Sequence, residues 1–283
     1  MLERCRWRCC LLSLILLLPM AAMAADDCRH LTATGNPEYP PYLWRDPDNP
    51  ALLIGANVDL LQHVARRLGI DIAVVYSGPW SRAQEQVRNG RIDLLAGLFI
   101  TQTREQTMDF IKPAFLTTAS MVWVRRDDGF AYVKWDDLKG RSGGTLVNNS
   151  HGQAFDDFAS ANLNLEAVPS AHQAFEKLLH KRNDYVLFER YPGMALARTL
   201  GVEHKLQMLE PPVSAEGLYL PCRTMHHATW PSCASGWRRA CKRWPPGRCP
   251  RSGSCSTCSA GAVRTSPERC PASPERFSQA HSR

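Results

Sequence analysis

The sequence predicts an α/β protein of two lobes, each built on a doubly wound parallel sheet, with a hinge between them. Three observations carry this. Apolar or β-branched runs alternate with amphipathic stretches from His30 to Leu98, and a β-α-β-α-β order implies a parallel sheet with crossover helices. The alternation restarts between Thr145 and Glu189. The extended run Leu116–Arg125 lies between the two sets and is long enough to cross from one lobe to the other.

Each element has its own signal. His30–Thr34 reads as a short strand. Asn57 is placed to cap a helix whose Leu61, Val64, Ala65 and Leu68 recur at helical spacing, and Gly69 ends it. Ile72–Tyr76 is a β-branched strand, and Trp80–Asn89 is a helix stopped at Gly90. Ile92–Leu98 is a near-continuous apolar run, the pattern of a strand covered on both faces. In the second set Thr145–Val147 is a strand and His151–Ala161 a helix. Ser170 caps a helix running to about Arg182, and Tyr185–Glu189 is the next strand.

The N-terminus indicates export. Arg4, Arg6 and Arg8 precede the apolar run Leu11–Leu18, and Ala22-Met23-Ala24 offers small residues at a cleavage site. This is the layout of a signal peptide, and the run is too short to span a bilayer. Cys28 does not follow a lipobox, so the mature chain is expected to begin near Ala25.

Composition divides the chain near residue 221. Residues 25–221 hold 20 Lys+Arg and 24 Asp+Glu, whereas residues 222–283 hold 11 Lys+Arg and only 2 acids. The net charge of +7 therefore comes from the tail and implies no nucleic-acid partner. Seven of the eleven cysteines also lie there. The expected organisation is a signal peptide at 1–24, lobe 1 at 25–122, lobe 2 at 123–212, a return strand at 213–221 and an aberrant tail at 222–283.

The stretch 90–110, GRIDLLAGLFITQTREQTMDF, carries the functional signal. Ligands of open α/β sheets collect beyond the carboxyl ends of the strands, and Arg104 stands just past such an end. A guanidinium there is suited to holding a carboxylate through two parallel hydrogen bonds. Further fragments surround it in order: Gly35-Asn36-Pro37-Glu38-Tyr39-Pro40-Pro41-Tyr42, Gly55-Ala56-Asn57-Val58-Asp59, Trp80, Gly90-Arg91-Ile92-Asp93 and Asp109-Phe110. Together they resemble the bacterial family 3 extracellular solute-binding proteins over roughly residues 30–220. The resemblance implies the two-lobed periplasmic binding protein fold (type II), closing on an amino acid for an ABC importer.

The resemblance also implies roles for individual residues. Arg104 matches the clamp on the α-carboxylate. Gly97 and Phe99 match positions whose backbone helps to hold carboxylate and ammonium. Phe99 stands where many amino-acid binders have threonine, so it offers only its N–H. Tyr39 and Trp80 match the aromatic walls around the ligand side chain, with Tyr42 as a further aromatic. Asn149-Ser150-His151-Gly152 matches the turn before a helix whose N-terminal amides face the carboxylate. His151 either donates to the ligand or caps that helix. Glu189 replaces the usual aspartate that pairs with the ammonium.

The body shows no nucleophile–base pairing, metal-ligand spacing or phosphate loop. The expected function is periplasmic capture of a small amino-acid-like solute, by a monomer without cofactor or metal, for an inner-membrane permease. One alternative is a periplasmic dehydratase of the same fold, in which Glu189 protonates the leaving hydroxyl of prephenate or arogenate. Another is a non-functional product, because the tail is unusual. Cys255 and Cys258 with His226 and His227 suggest zinc only weakly, and seven cysteines are an odd number for disulfides. Trp230, Cys233, Trp237, Cys241 and Trp244 are spaced 3, 4, 4 and 3. A Trp or Cys codon read one base earlier encodes Leu, Val or Met, so that frame carries a helical apolar stripe. The tail is therefore read as a frameshifted form of a C-terminal helix.

Overall fold

The computed structural model describes residues 30–223. The expectations for the signal peptide, for Cys28 and for the tail beyond Arg223 lie outside the described residues. The chain opens with β1 (His30–Thr34) and a small antiparallel sheet of β2 (Glu38–Tyr39), β3 (Leu43–Arg45) and β4 (Leu53–Ile54). Then come α1 (Ala56–Leu68), β5 (Asp71–Val74), α2 (Trp80–Arg88), β6 (Leu94–Leu95) and the one-turn α3 (Gln102–Glu105). The 18-residue strand β7 (Met108–Arg125) leads to the second set. This comprises β8 (Ser142–Leu146), α4 (Gln153–Asn162), β9 (Asn164–Val168), α5 (Ala171–Leu179), β10 (Tyr185–Glu189) and α6 (Arg190–Thr199). A second 18-residue strand, β11 (Leu206–Arg223), follows.

The larger sheet runs β5-β1-β6-β11-β7-β10-β8-β9. β1 is parallel to β5 and β6, and β8 is parallel to β9 and β10, as crossover helices require. The two parallel sets are joined by β7 and β11, which lie antiparallel and belong to both. β10 meets β7 at Ser120–Trp123, while β6 meets β11 at Cys222. The β7–β11 ladder is interrupted between Leu209 and Ser214. Pro211 and Pro212 fall in that interval and have no N–H to give a ladder. β11 continues through Cys222 and Arg223, past the break in composition, and the Cys222 thiol donates to the Asp109 carbonyl at 3.7 Å.

Helix α1 turns Val58, Leu61, Val64 and Ala65 onto Leu31 and Ala33 of β1 and Ile72 and Val74 of β5. Gly69 ends it in the left-handed conformation at φ 67°. Ser170 caps α5 by accepting from the Gln173 amide at 3.1 Å. All five residues of β10 are buried, so the strand drags its last residue, Glu189, into the interior.

Three local expectations are corrected. The N-cap of α1 is Gly55, and Asn57 sits inside the first turn with its side chain buried. The strand within Ile92–Leu98 is limited to Leu94 and Leu95, because Gly97 at φ +133° turns the backbone away. Helix α4 starts at Gln153, two residues later than the pattern indicated.

Candidate functional site

The loops that follow β1, β6, β8 and β10 converge on one cleft. All leave the carboxyl ends of parallel strands, where backbone turns away from the sheet and exposes its polar groups. Asn36 comes from the first loop and Tyr39 from β2 just after it, Gly97 to Phe99 come from the second, Asn149 from the third, and Glu189 ends β10. Trp80, Leu43, Asn57, Ala96, Arg104 and Leu218 complete the wall around about 380 Å³.

Of the residues singled out from the sequence, Tyr39, Trp80, Gly97, Phe99, Arg104 and Glu189 line this cleft. Trp80 is held by Ala83, Val87, Leu95, Leu98 and Met108, which fix its ring as a wall. Tyr39 packs edge-on against Phe188, with ring centroids 6.5 Å apart. Gly97 is required at its position. A Cβ there would lie 2.9 Å from Leu218 Cδ2, in a backbone conformation that side chains rarely adopt.

Arg104 is positioned by α3, whose N-cap Thr101 accepts from the Arg104 amide at 3.3 Å. Its Nη1 donates to the Phe99 carbonyl at 3.0 Å and its Nη2 to the Asn148 carbonyl at 2.9 Å. Burial draws its pKa down to about 10, while the charges of Asp156 and Glu189 hold it up. It is a cation at neutral pH, and two of its five N–H donors are used by the chain.

Glu189 is 2% exposed. Burial lifts its carboxyl to about pKa 7, although its own backbone N–H, Asn149 and Arg104 favour the ion. Among the described residues its Oε2, Asn149 Nδ2, Tyr39 Oη and Trp80 Nε1 make no well-formed hydrogen bond, although the Asn149 amide lies close enough to favour the Glu189 ion and the Thr118 hydroxyl close enough to favour the Tyr39 phenolate. Each belongs to a residue that lines the cleft. A buried polar group without a partner costs roughly 1–3 kcal/mol. Four of them around one cavity, with a guanidinium, form a set of donors and acceptors matched to a polar ligand.

His151 stands apart from the cleft. Its side chain does not line the cleft and does not cap α4, whose N-cap is Gly152. The ring is 3% exposed, with Nε2 2.9 Å from Thr145 Oγ1 and Nδ1 3.2 Å from Ser120 Oγ. Burial first, and the nearby Arg104 charge second, push its pKa down to about 3. The amides before α4 are also committed within the chain: that of His151 donates to Asp156 at 2.9 Å and that of Gly152 to Ser150 Oγ at 3.1 Å. Unfolding restores the ordinary histidine pKa of about 6.5, so the unfolded chain binds the extra proton below that value. Stability from this ring is complete above pH 6.5 and is lost as pH falls towards 3, amounting to about 2 kcal/mol by pH 5. His151→Gln, which cannot charge, is expected to lose less stability than the native chain between about pH 7.5 and pH 5, by that amount. Denaturant midpoints at the two pH values measure it, and equal losses would remove His151 as the source.

Sequence reasoning did not place the side chains of Asn36, Asn57 and Asn149 in the ligand cleft, although all three line it. A signal for Asn57 was present. It stands four residues before Leu61 on the apolar stripe of α1, where a polar side chain needs a buried partner, and its Nδ2 donates to the Ala96 carbonyl at 2.6 Å. Gln84 repeats the pattern on α2, donating to the Asn148 carbonyl at 3.0 Å. Among the described residues, no group of three or more His, Cys, Asp or Glu side chains is arranged to hold a metal ion.

Known structures share this architecture. The arginine-bound, truncated form of ArgBP from T. maritima aligns with a TM-score of 0.62 and 19% identity, over 75% of this chain and 93% of its own. A histidine kinase sensor domain with similarity to periplasmic binding proteins aligns with a TM-score of 0.65 and 22% identity, over 77% and 90%. An ancestral arginine-binding protein bound to glutamine aligns with a TM-score of 0.62 and 19% identity, over 76% and 91%. At these identities the likeness concerns the fold. No curated protein sequence matches the chain significantly. Residues 31–231 match the sequence model of the bacterial extracellular solute-binding proteins, family 3, and the chain belongs to that family.

Proposed function

We propose that the chain captures a small amine-carboxylate in the periplasm and delivers it, as a monomer, to an inner-membrane ABC permease. The observation that carries this reading is the pairing of opposite charges across one small cleft. Arg104 supplies the cation for a carboxylate, and Glu189 Oε2 supplies the free acceptor for an ammonium. Tyr39 and Trp80 wall the space for the side chain, and Asn149 adds a donor from the second parallel set. The two sets act as the lobes that close on the solute, with β7 and β11 as the hinge. Complexes of the same fold with arginine and with glutamine support an amino-acid ligand. Calorimetry of the mature chain against the common amino acids is expected to find at least one ligand of micromolar affinity or better. Failure of the whole set to bind would overturn the reading.

The carboxyl of Glu189, near pKa 7, favours one second reading. In its protonated form it is a buried acid of the strength a dehydratase needs.

A further inference from the structure

We propose that the solute is a net-neutral zwitterion whose side chain carries no charge, and that the neutral wall around Asn36 sets this restriction. The proposal rests on the amine-carboxylate reading of the cleft. Among the lining residues Arg104 and Glu189 alone are built to carry charge, one of each sign. Tyr39 stays a neutral phenol, since burial raises its pKa well above the usual value. The carboxylate and ammonium of the solute use both charges, so a third charge on its side chain has no counter-ion in the wall.

The acids nearby are committed elsewhere. Glu38, beside Asn36 in the chain, accepts from the Ala171 amide at 2.7 Å and does not line the cleft. Asp156 holds the His151 amide and the Ser150 hydroxyl. The rest of the wall is apolar or carries neutral amides, and a buried unpaired charge is expensive there. Asn36 is the position where one atom changes this. Its Oδ1 accepts from the Glu38 amide at 3.0 Å, which leaves the neutral Nδ2 as its remaining polar group. Aspartate retains the Oδ1 acceptor and adds a negative charge to the wall.

Titration calorimetry on the full chain, near pH 8, distinguishes the outcomes. The probes are glutamine, asparagine, methionine and phenylalanine as neutral solutes, arginine and lysine as cationic, and glutamate and aspartate as anionic. A neutral member is expected to bind most tightly, with both charged classes weaker by roughly a hundredfold. Asn36→Asp is expected to improve arginine or lysine at least about tenfold relative to the neutral ligand. Arginine, lysine, glutamate or aspartate as the tightest ligand of the native chain would overturn this inference and leave the amine-carboxylate reading intact. Absence of binding by every amino acid would overturn both.

Discussion

Replacing Arg104 with alanine is expected to weaken solute binding by about 2–5 kcal/mol, roughly 30-fold to several-thousand-fold in Kd. The size follows from what is left behind. The solute carboxylate would enter a cleft walled by Trp80, Leu98 and Leu218 without its only cationic partner among the lining residues. The carbonyls of Phe99 and Asn148 would also lose donors, at 3.0 and 2.9 Å. Arg104→Lys keeps the charge but not the planar fork that reaches carboxylate and carbonyls together, so it should recover only part of the loss. Calorimetry with the tightest ligand, with melting curves to verify folding, measures both variants. Unchanged affinity in Arg104→Ala would remove the guanidinium from recognition.

A second large effect is expected from pH. An ammonium pairs with the ionised form of Glu189, whose carboxyl titrates near pKa 7 before the solute arrives. A raised carboxyl pKa means that the empty site holds its proton below 7 and releases it on binding. Affinity should therefore rise with pH and level off above 7. The competent fraction falls about tenfold per unit below that, so binding near pH 5.5 should be about 30-fold weaker than near pH 8. Glu189→Gln should flatten the profile and be weaker at pH 8. A flat profile in the native chain would separate Glu189 from the ammonium. Repeated turnover of prephenate or arogenate to an aromatic product, lost in Glu189→Gln, would instead make the residue a general acid.

The parts of this structure that were legible in the sequence are those set by local periodicity. The helix pattern of Leu61, Val64 and Ala65, the left-handed stop at Gly69 and the five-residue strand Tyr185–Glu189 all have signals within a few neighbours. Arg104 was legible because its place after a strand follows from chain order. The direction of His151 was not, because it depends on Ser120 and Thr145 from two strands that only the tertiary fold brings to its ring. The short β6 has the same cause. Its apolar run continues to Leu98, but Gly97 turns the chain so that Leu98 pairs with Tyr219 instead. Local pattern makes Asn57 a cap, since the sequence does not show which asparagine on a helix start faces a distant carbonyl.

The bonds that join the two parallel sets have a further consequence for how such a chain can change its ligand. Arg104 and Gln84 reach the Asn148 carbonyl, Glu38 reaches the Ala171 amide, and Gln153 reaches the Gln102 amide. In each, one partner is main chain, which substitution of its side chain leaves in place. Of these side chains only Arg104 lines the cleft. Asn36, which lines the wall, takes no part in these joining bonds, so a change of its polarity leaves the joint in place. Wall and joint are thus encoded in largely separate residues, so that under the proposed function a change at Asn36 alters which solute fits without breaking the bonds between the two sets.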